Sequence, residues 1–168
     1  LESGTDREKS LKEIQSQPGV IYVEPNYPVE AFDTPTPDPL LGDQWGLSAF
    51  EPKYGVSAEA AWEAYTADDG IKRQVVVAVI DTGVDTDHPD LKNRLLDGYN
   101  AMTGADSAQT DDDNGHGTHV AGIIAAEAGN GEGIAGVAGP ANVKILPVKV
   151  LDADGSGNIF DVSRGIRW

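Results

Sequence analysis

The sequence predicts an α/β fold with a parallel central sheet and helices on both faces. Three observations point there. Val75 to Ile80 is an unbroken, mostly β-branched run, Val143 to Leu151 is a second apolar run, and segments of helical spacing alternate with them. A run that is apolar at every position suits a strand covered on both faces, as in a parallel sheet. Strand, helix, strand, helix in that order calls for right-handed crossovers. The 168 residues allow one domain, or one domain with a fragment of another. An apolar content of 39% and 20 glycines suit tight turns around a core and exclude a disordered chain.

The elements follow in order. Thr5 and Glu8 have the spacing of a capping box, Leu11 and Ile14 continue at helical spacing, and Gly19 is the stop. Val20 to Val23 reads as a short strand closed by Pro25 and Pro28, because proline cannot donate to a ladder. From Asp33 to Asp43 the chain is rich in Pro and Asp and reads as an extended linker. A boundary near Phe32 therefore divides the chain into residues 1–32 and 33–168. Ser57 is placed to cap a helix through Trp62 and Tyr65 that ends at Gly70. His119 to Glu127 is small and apolar, which suits a buried helix. Pro147 is expected to interrupt the second central strand, and Asp154 to Gly157 is a turn. Phe160 with Ser163, and Val162 with Ile166, sit at helical spacing, so the chain stops within a helix at Trp168.

Charge narrows the partners. The net charge of −16 argues against nucleic acid or an anionic membrane, whose phosphates would be repelled. Clustered carboxylates would favour cations. With no Cys there is no disulfide, thiolate nucleophile or thiolate metal site. No apolar run approaches the ~20 residues that span a bilayer. No signal peptide is visible and the first residue is Leu1, so the chain is expected to begin inside a longer precursor.

Two segments carry chemistry. Asp81 ends the first apolar run, just before Thr82 and Gly83. Sites gather at the carboxyl ends of strands in open α/β sheets, and a carboxylate there needs a partner. On these residues alone, Asp81 reads either as that site or as a cap of the next turn. His116 lies between Gly115 and Gly117, ahead of an apolar helix. The glycines remove bulk around an imidazole that titrates near neutrality, as a general base should. His119 reads as a structural histidine at the head of the apolar helix face. Zinc at His116 and His119 is disfavoured, since Gly117 and Thr118 stand where a metalloprotease helix needs Glu.

Together, Val79 to Leu91 (Val-Ile-Asp-Thr-Gly-Val-Asp-Thr-Asp-His-Pro-Asp-Leu) and His116 to Gly122 (His-Gly-Thr-His-Val-Ala-Gly) resemble the subtilisin-like serine proteases, in the family's order of Asp before His. The likeness extends more loosely from Pro39 to Trp168. It implies a subtilisin-like fold truncated before its C-terminal half. It also implies peptide-bond hydrolysis through an acyl-enzyme, with Asp81 orienting His116 and His116 activating a serine. That serine belongs to a Gly-Thr-Ser-Met-Ala type of segment, which this sequence lacks, so the fragment is expected to be inactive alone. The alternatives are a non-catalytic peptide-binding protein with a subtilase-like fold and a calcium-stabilised structural module.

The resemblance implies four further features. Gly155, Ser156 and Gly157 would pair with a substrate backbone, although on the residues alone they are also a turn. Leu151 and Ile159 would line a pocket for an apolar side chain upstream of the cut, and Asn114 would face the leaving side. Structural Ca²⁺ would be held by side-chain oxygens of Asp38, Asp90 and Asn130 and by the carbonyls of Glu127, Glu132 and Ile134. Asp111, Asp112 and Asp113 are a second cation site or a solvated acidic loop. Residues 1–32 resemble the tail of a short α+β inhibitory propeptide, cleaved near Phe32–Asp33. The partners would be protein or peptide substrates and the chain's own propeptide, in a secreted enzyme.

Overall fold

A computed structural model describes residues 12–23, 38–47, 55–67, 73–106 and 109–168. The chain divides into two units, Leu1–Asp33 and Thr34–Trp168. The expectations for Thr5, Glu8, Leu11, Pro25, Pro28, Phe32 to Pro37 and Gly70 lie outside the described residues.

In the first unit, residues 12–15 are helical, and the Ser16 amide donates to the Lys12 carbonyl at 3.1 Å. Gly19 ends this turn with φ of +88°, the left-handed position that glycine takes without strain. Contrary to expectation, residues 20–23 form no strand. A strand exists through its ladder, and among the described residues no sheet strand or isolated bridge includes this segment. Ile21 is 98% exposed.

The second unit holds a turn of 3₁₀ helix at Leu41–Asp43, then α1 (Ala58–Ala67), β1 (Val75–Asp81), β2 (Tyr99–Asn100), β3 (Ala105–Asp106), α2 (His116–Ala125), β4 (Val143–Lys149) and α3 (Ile159–Arg167). The sheet order is β1-β4-β2-β3. β4 lies parallel to both β1 and β2, while β3 is antiparallel to β2. Successive β4 side chains take opposite faces, as pleating demands. Val143 and Ile145 join Val79, Val84, Leu91 and the α2 residues Ala121 and Ala125 in one core. Val148 and Val150 join Tyr99 and Ala101 in another, against Ile80 and Val162 of α3. Helices thus cover both faces, and each fully buried Val, Leu or Ile contributes about 1.5–3 kcal/mol.

Four local expectations change. β1 is not covered along its length: Val75 and Val76 are 53% and 46% exposed, because the flanking cores reach only from Val77 to Ile80. Pro147 does not interrupt β4. The Ile145 amide donates to the Arg94 carbonyl and the Lys149 carbonyl accepts from Ala101, so the alternate residue 147 also faces the β2 side. There the ladder is open between the Leu95–Ile145 bridge and the start of β2 at Tyr99, and no donor is missed. Residues 38–43 are not an extended linker: Asp38 is buried and the Leu40 amide donates to the Gly133 carbonyl at 3.0 Å. Finally, α2 begins at His116. Its buried residues are Gly117, Ala121, Gly122 and Ala125, which turns His119 onto the opposite, exposed flank with Ile123. His119 therefore does not head the apolar face.

Candidate active site

Asp81 ends β1 in register with Lys149 of β4, and the chain turns at Gly83, whose φ is +109°. His116 opens α2, which approaches that turn closely because Gly117 carries no side chain: an added Cβ would fall inside contact distance of the Gly83 carbonyl oxygen. The approach brings His116 Nδ1 to 2.8 Å from Asp81 Oδ1. The same carboxylate oxygen accepts the Thr82 amide at 2.7 Å. An ionised carboxylate only accepts, so a neutral ring facing it would carry its proton on Nδ1 and its acceptor lone pair on Nε2. The Asp81 side chain is 14% exposed and the imidazole 63% exposed, so the ring faces solvent while the carboxylate is shielded.

The pair is framed by groups whose part in it the residue patterns did not give. Asp112 Oδ1 accepts from the Thr82 hydroxyl at 2.8 Å and from the amides of Asn114 and Gly115 at 3.0 and 2.9 Å. Its Oδ2 accepts from the Thr118 amide at 2.9 Å and hydroxyl at 2.5 Å. Burial opposes its ionisation, but the Thr118 hydroxyl, the Gly115 and Thr118 amides and the Thr82 hydroxyl outweigh it, holding the carboxyl well below the ordinary range. Lys149, only 6% exposed, donates to the Thr82 carbonyl and to Asp113 Oδ1, the latter at 2.6 Å. Within the acidic run, Asp112 is thus filled by donors and Asp113 is paired with Lys149, while exposed Asp111 accepts the Thr86 amide at 3.3 Å. A lone lysine at the end of an apolar run, and an aspartate three and six residues before helix-starting amides, were the signals available.

The proposed substrate strip lies beside the pair. The Asp81 carbonyl accepts from the amides of Val150 and Leu151, at 2.8 and 3.2 Å. Leu151 packs on the second core. The following turn closes on Asp152, whose Oδ1 accepts from Ser156 N at 2.9 Å and whose carbonyl accepts from Gly155 N at 2.9 Å. Gly155 takes φ of +70°. Asn114 donates to the Ala153 carbonyl at 2.9 Å and accepts from the His116 amide at 3.2 Å, joining this turn to the imidazole loop. Ile159 starts α3 and is 77% exposed.

The residues expected to hold calcium also gather. Asp38 accepts from Gly129 N at 2.9 Å and Asn130 N at 3.1 Å. Asp90 accepts from Asn130 Nδ2 and Ile134 N, both at 2.9 Å, while its carbonyl accepts from Glu127 N at 3.0 Å. The Glu132 amide donates to Asn130 Oδ1 at 2.8 Å. Among the described residues no group of three acidic or histidine side chains is arranged to hold a metal. Asp38 and Asp90 are nevertheless only 5% and 2% exposed, and no ion pair within the described residues compensates either. Two buried hard-oxygen donors without a cation fit Ca²⁺ chemistry, although Asn130 turns its amide nitrogen, not its oxygen, toward Asp90.

Residues 72–168 match the model of the subtilase family. The chain is 40% identical over 159 residues to a thermophilic serine proteinase of Bacillus sp. (strain AK1), covering 95% of this chain and 36% of that protein. It is 39% identical over 173 residues to the minor extracellular protease Epr of Bacillus subtilis (strain 168), covering 98% of this chain and 24% of that protein. A solved structure described as proteases from Pseudoalteromonas arctica PAMC 21717 superposes with a TM-score of 0.61 at 34% identity, covering 80% of this chain and 44% of that one. The chain thus spans 36% and 24% of the length of these two curated relatives.

Proposed function

The chain belongs to the subtilase family, and from that premise we propose that it supplies the acid–base half of a serine endopeptidase. The observation that carries this reading is the 2.8 Å bond between His116 Nδ1 and Asp81 Oδ1. His116 Nε2 removes the proton of a serine hydroxyl as the hydroxyl attacks a peptide carbonyl, then returns it to the leaving amine. Asp81 fixes the tautomer and stabilises the imidazolium that forms in between. The sequence holds no serine in the family's nucleophile context, so the 168 residues alone would not hydrolyse peptides.

A bound peptide would lie along Gly155–Gly157. The amides of Gly155 and Ser156 are committed to Asp152, which leaves the Gly155 carbonyl and the Gly157 backbone to pair with it. Leu151 and Ile159 would receive an apolar side chain upstream of the cut, and Asn114 would border the leaving side. Ca²⁺ held by Asp38, Asp90 and Asn130, with carbonyls of Glu127, Glu132 and Ile134, would neutralise the two buried carboxylates and stiffen their loop. Residues 1–32 would be the tail of an inhibitory propeptide, and the enzyme would act outside the cell. The unit boundary after Asp33 and the extracellular protease among the relatives support these two statements.

The test is covalent labelling of the full-length protein with a serine-directed phosphonate, beside a peptidase assay. Labelling and cleavage are expected, with Asp81→Asn slowed by about 10⁴-fold, the usual cost of neutralising a triad carboxylate. A full-length protein that neither labels nor cleaves would leave a peptide-binding protein instead. Mass spectrometry of the mature form reads the cleavage site. An amino terminus before Gly19 would refute the propeptide assignment.

A further inference from the structure

Thr82 and Asp112 surround the pair, yet no step above uses either. Thr82 is fully buried. Its hydroxyl accepts from the Gly117 amide at 2.9 Å and donates to Asp112 Oδ1 at 2.8 Å. Asp112 Oδ1 in turn accepts from the Gly115 amide at 2.9 Å. The amides on either side of His116 therefore end on one hydroxyl–carboxylate unit, and that unit belongs in part to the residue bonded to Asp81. We propose that Thr82 and Asp112 are positioning residues, which hold the backbone on both sides of His116 in register with Asp81. The proposal rests on the protease reading for its kinetic consequence and on geometry alone for its spectroscopic one.

Valence makes both residue types specific. The Thr82 hydroxyl has one proton, given to Asp112, and uses a lone pair for Gly117. Valine would fill the same space and leave a buried amide without a partner. Asp112 receives three donors on one oxygen and two on the other. Asparagine would turn an NH₂ group toward one of those sets. The Thr118 amide could not absorb the change, because a backbone N–H only donates and would face another donor. Neither Thr82 nor Asp112 touches the imidazole ring, so their effect on the reaction passes through the placement of His116.

The experiment compares Thr82→Val, Thr82→Ser and Asp112→Asn with the unaltered full-length protein, reading kcat, KM and the low-field proton resonance of His116 Nδ1–H. Thr82→Val is expected to lower kcat by about 10- to 100-fold with KM within about twofold, the range for misplacement by a fraction of an ångström to one ångström. Thr82→Ser keeps the hydroxyl and is expected to recover most of that rate. The low-field resonance should be lost in Thr82→Val and restored in Thr82→Ser. Unchanged kcat and resonance in Thr82→Val, a loss confined to KM, or no recovery with Ser would overturn the proposal. Asp112→Asn is judged by the same readouts if the valine variant does not fold. An unaltered protein without peptidase activity would refute the protease reading instead, and the resonance would still decide the positioning role.

Discussion

Replacing Gly117 with Ala places one methyl group at the closest approach in the site. The added carbon would lie 2.0 Å from the Gly83 carbonyl oxygen and 3.2 Å from Asp81 Cβ, where ordinary contact begins at 3.4 Å. The first turn of α2 must therefore retreat by about 1 Å, since backbone cannot rotate aside as a side chain can. A retreat of that size stretches the 2.8 Å bond between His116 and Asp81 past hydrogen-bonding range. Misplacement by ~1 Å costs about 100-fold in rate. Overpacking of this kind costs about 1–3 kcal/mol, which lowers Tm. Gly117 is not in the left-handed region, so Ala meets no backbone strain, and helix propensity alone would make the variant more stable by up to about 1 kcal/mol. Sterics and propensity thus predict opposite signs. Peptidase kinetics and thermal melting of the full-length Gly117→Ala protein read both. A variant with unchanged kcat and an equal or higher Tm would refute the close-approach reasoning.

Other perturbations separate the remaining parts. The Asp112 carboxyl is held below its ordinary range when folded, so its contribution to stability is complete above the unfolded value of about 3.9 and is lost as pH falls toward the folded one. Asp112→Asn should therefore lower Tm most at neutral pH, and the gap to the unaltered protein should narrow in melts taken below about pH 4. If calcium binds at Asp38 and Asp90, free Ca²⁺ at 100 times Kd adds about 2.7 kcal/mol, and EDTA should lower Tm by several degrees. Asp90→Asn should abolish that response, and an EDTA-insensitive unaltered protein would count against the site. Ile159→Trp should shift the preferred upstream residue in a peptide library, and an unaltered profile would remove Ile159 from the pocket.

The central sheet was legible because β-branched runs leave few other choices, and Val79 and Ile145 are indeed buried where those runs predict. The Asp81–His116 pair was legible as two local motifs whose meeting only the sheet could arrange. What stayed hidden was non-local. The exposure of Val75 depends on where the covering helices end, and the tolerance of Pro147 depends on which neighbouring ladder is open. The partners of Asp112 are legible only in part: Asn114, Gly115 and Thr118 are near in sequence, but Thr82 is 30 positions away. His119 shows the same limit, because a shift in the helix start rotates it from the core to solvent.

Asp81 has two attachments that point in different directions. Its side chain holds the imidazole, while its carbonyl receives the amides of Val150 and Leu151, the stem of the strip that a peptide would line. Under the proposed function, recognition and proton transfer would share a single link of the backbone. A loop graft that re-aims the strip would tug on His116 as well. Redesign of selectivity in this scaffold should therefore begin beyond Asp152, where the turn closes on itself and its movements stop short of that shared hinge.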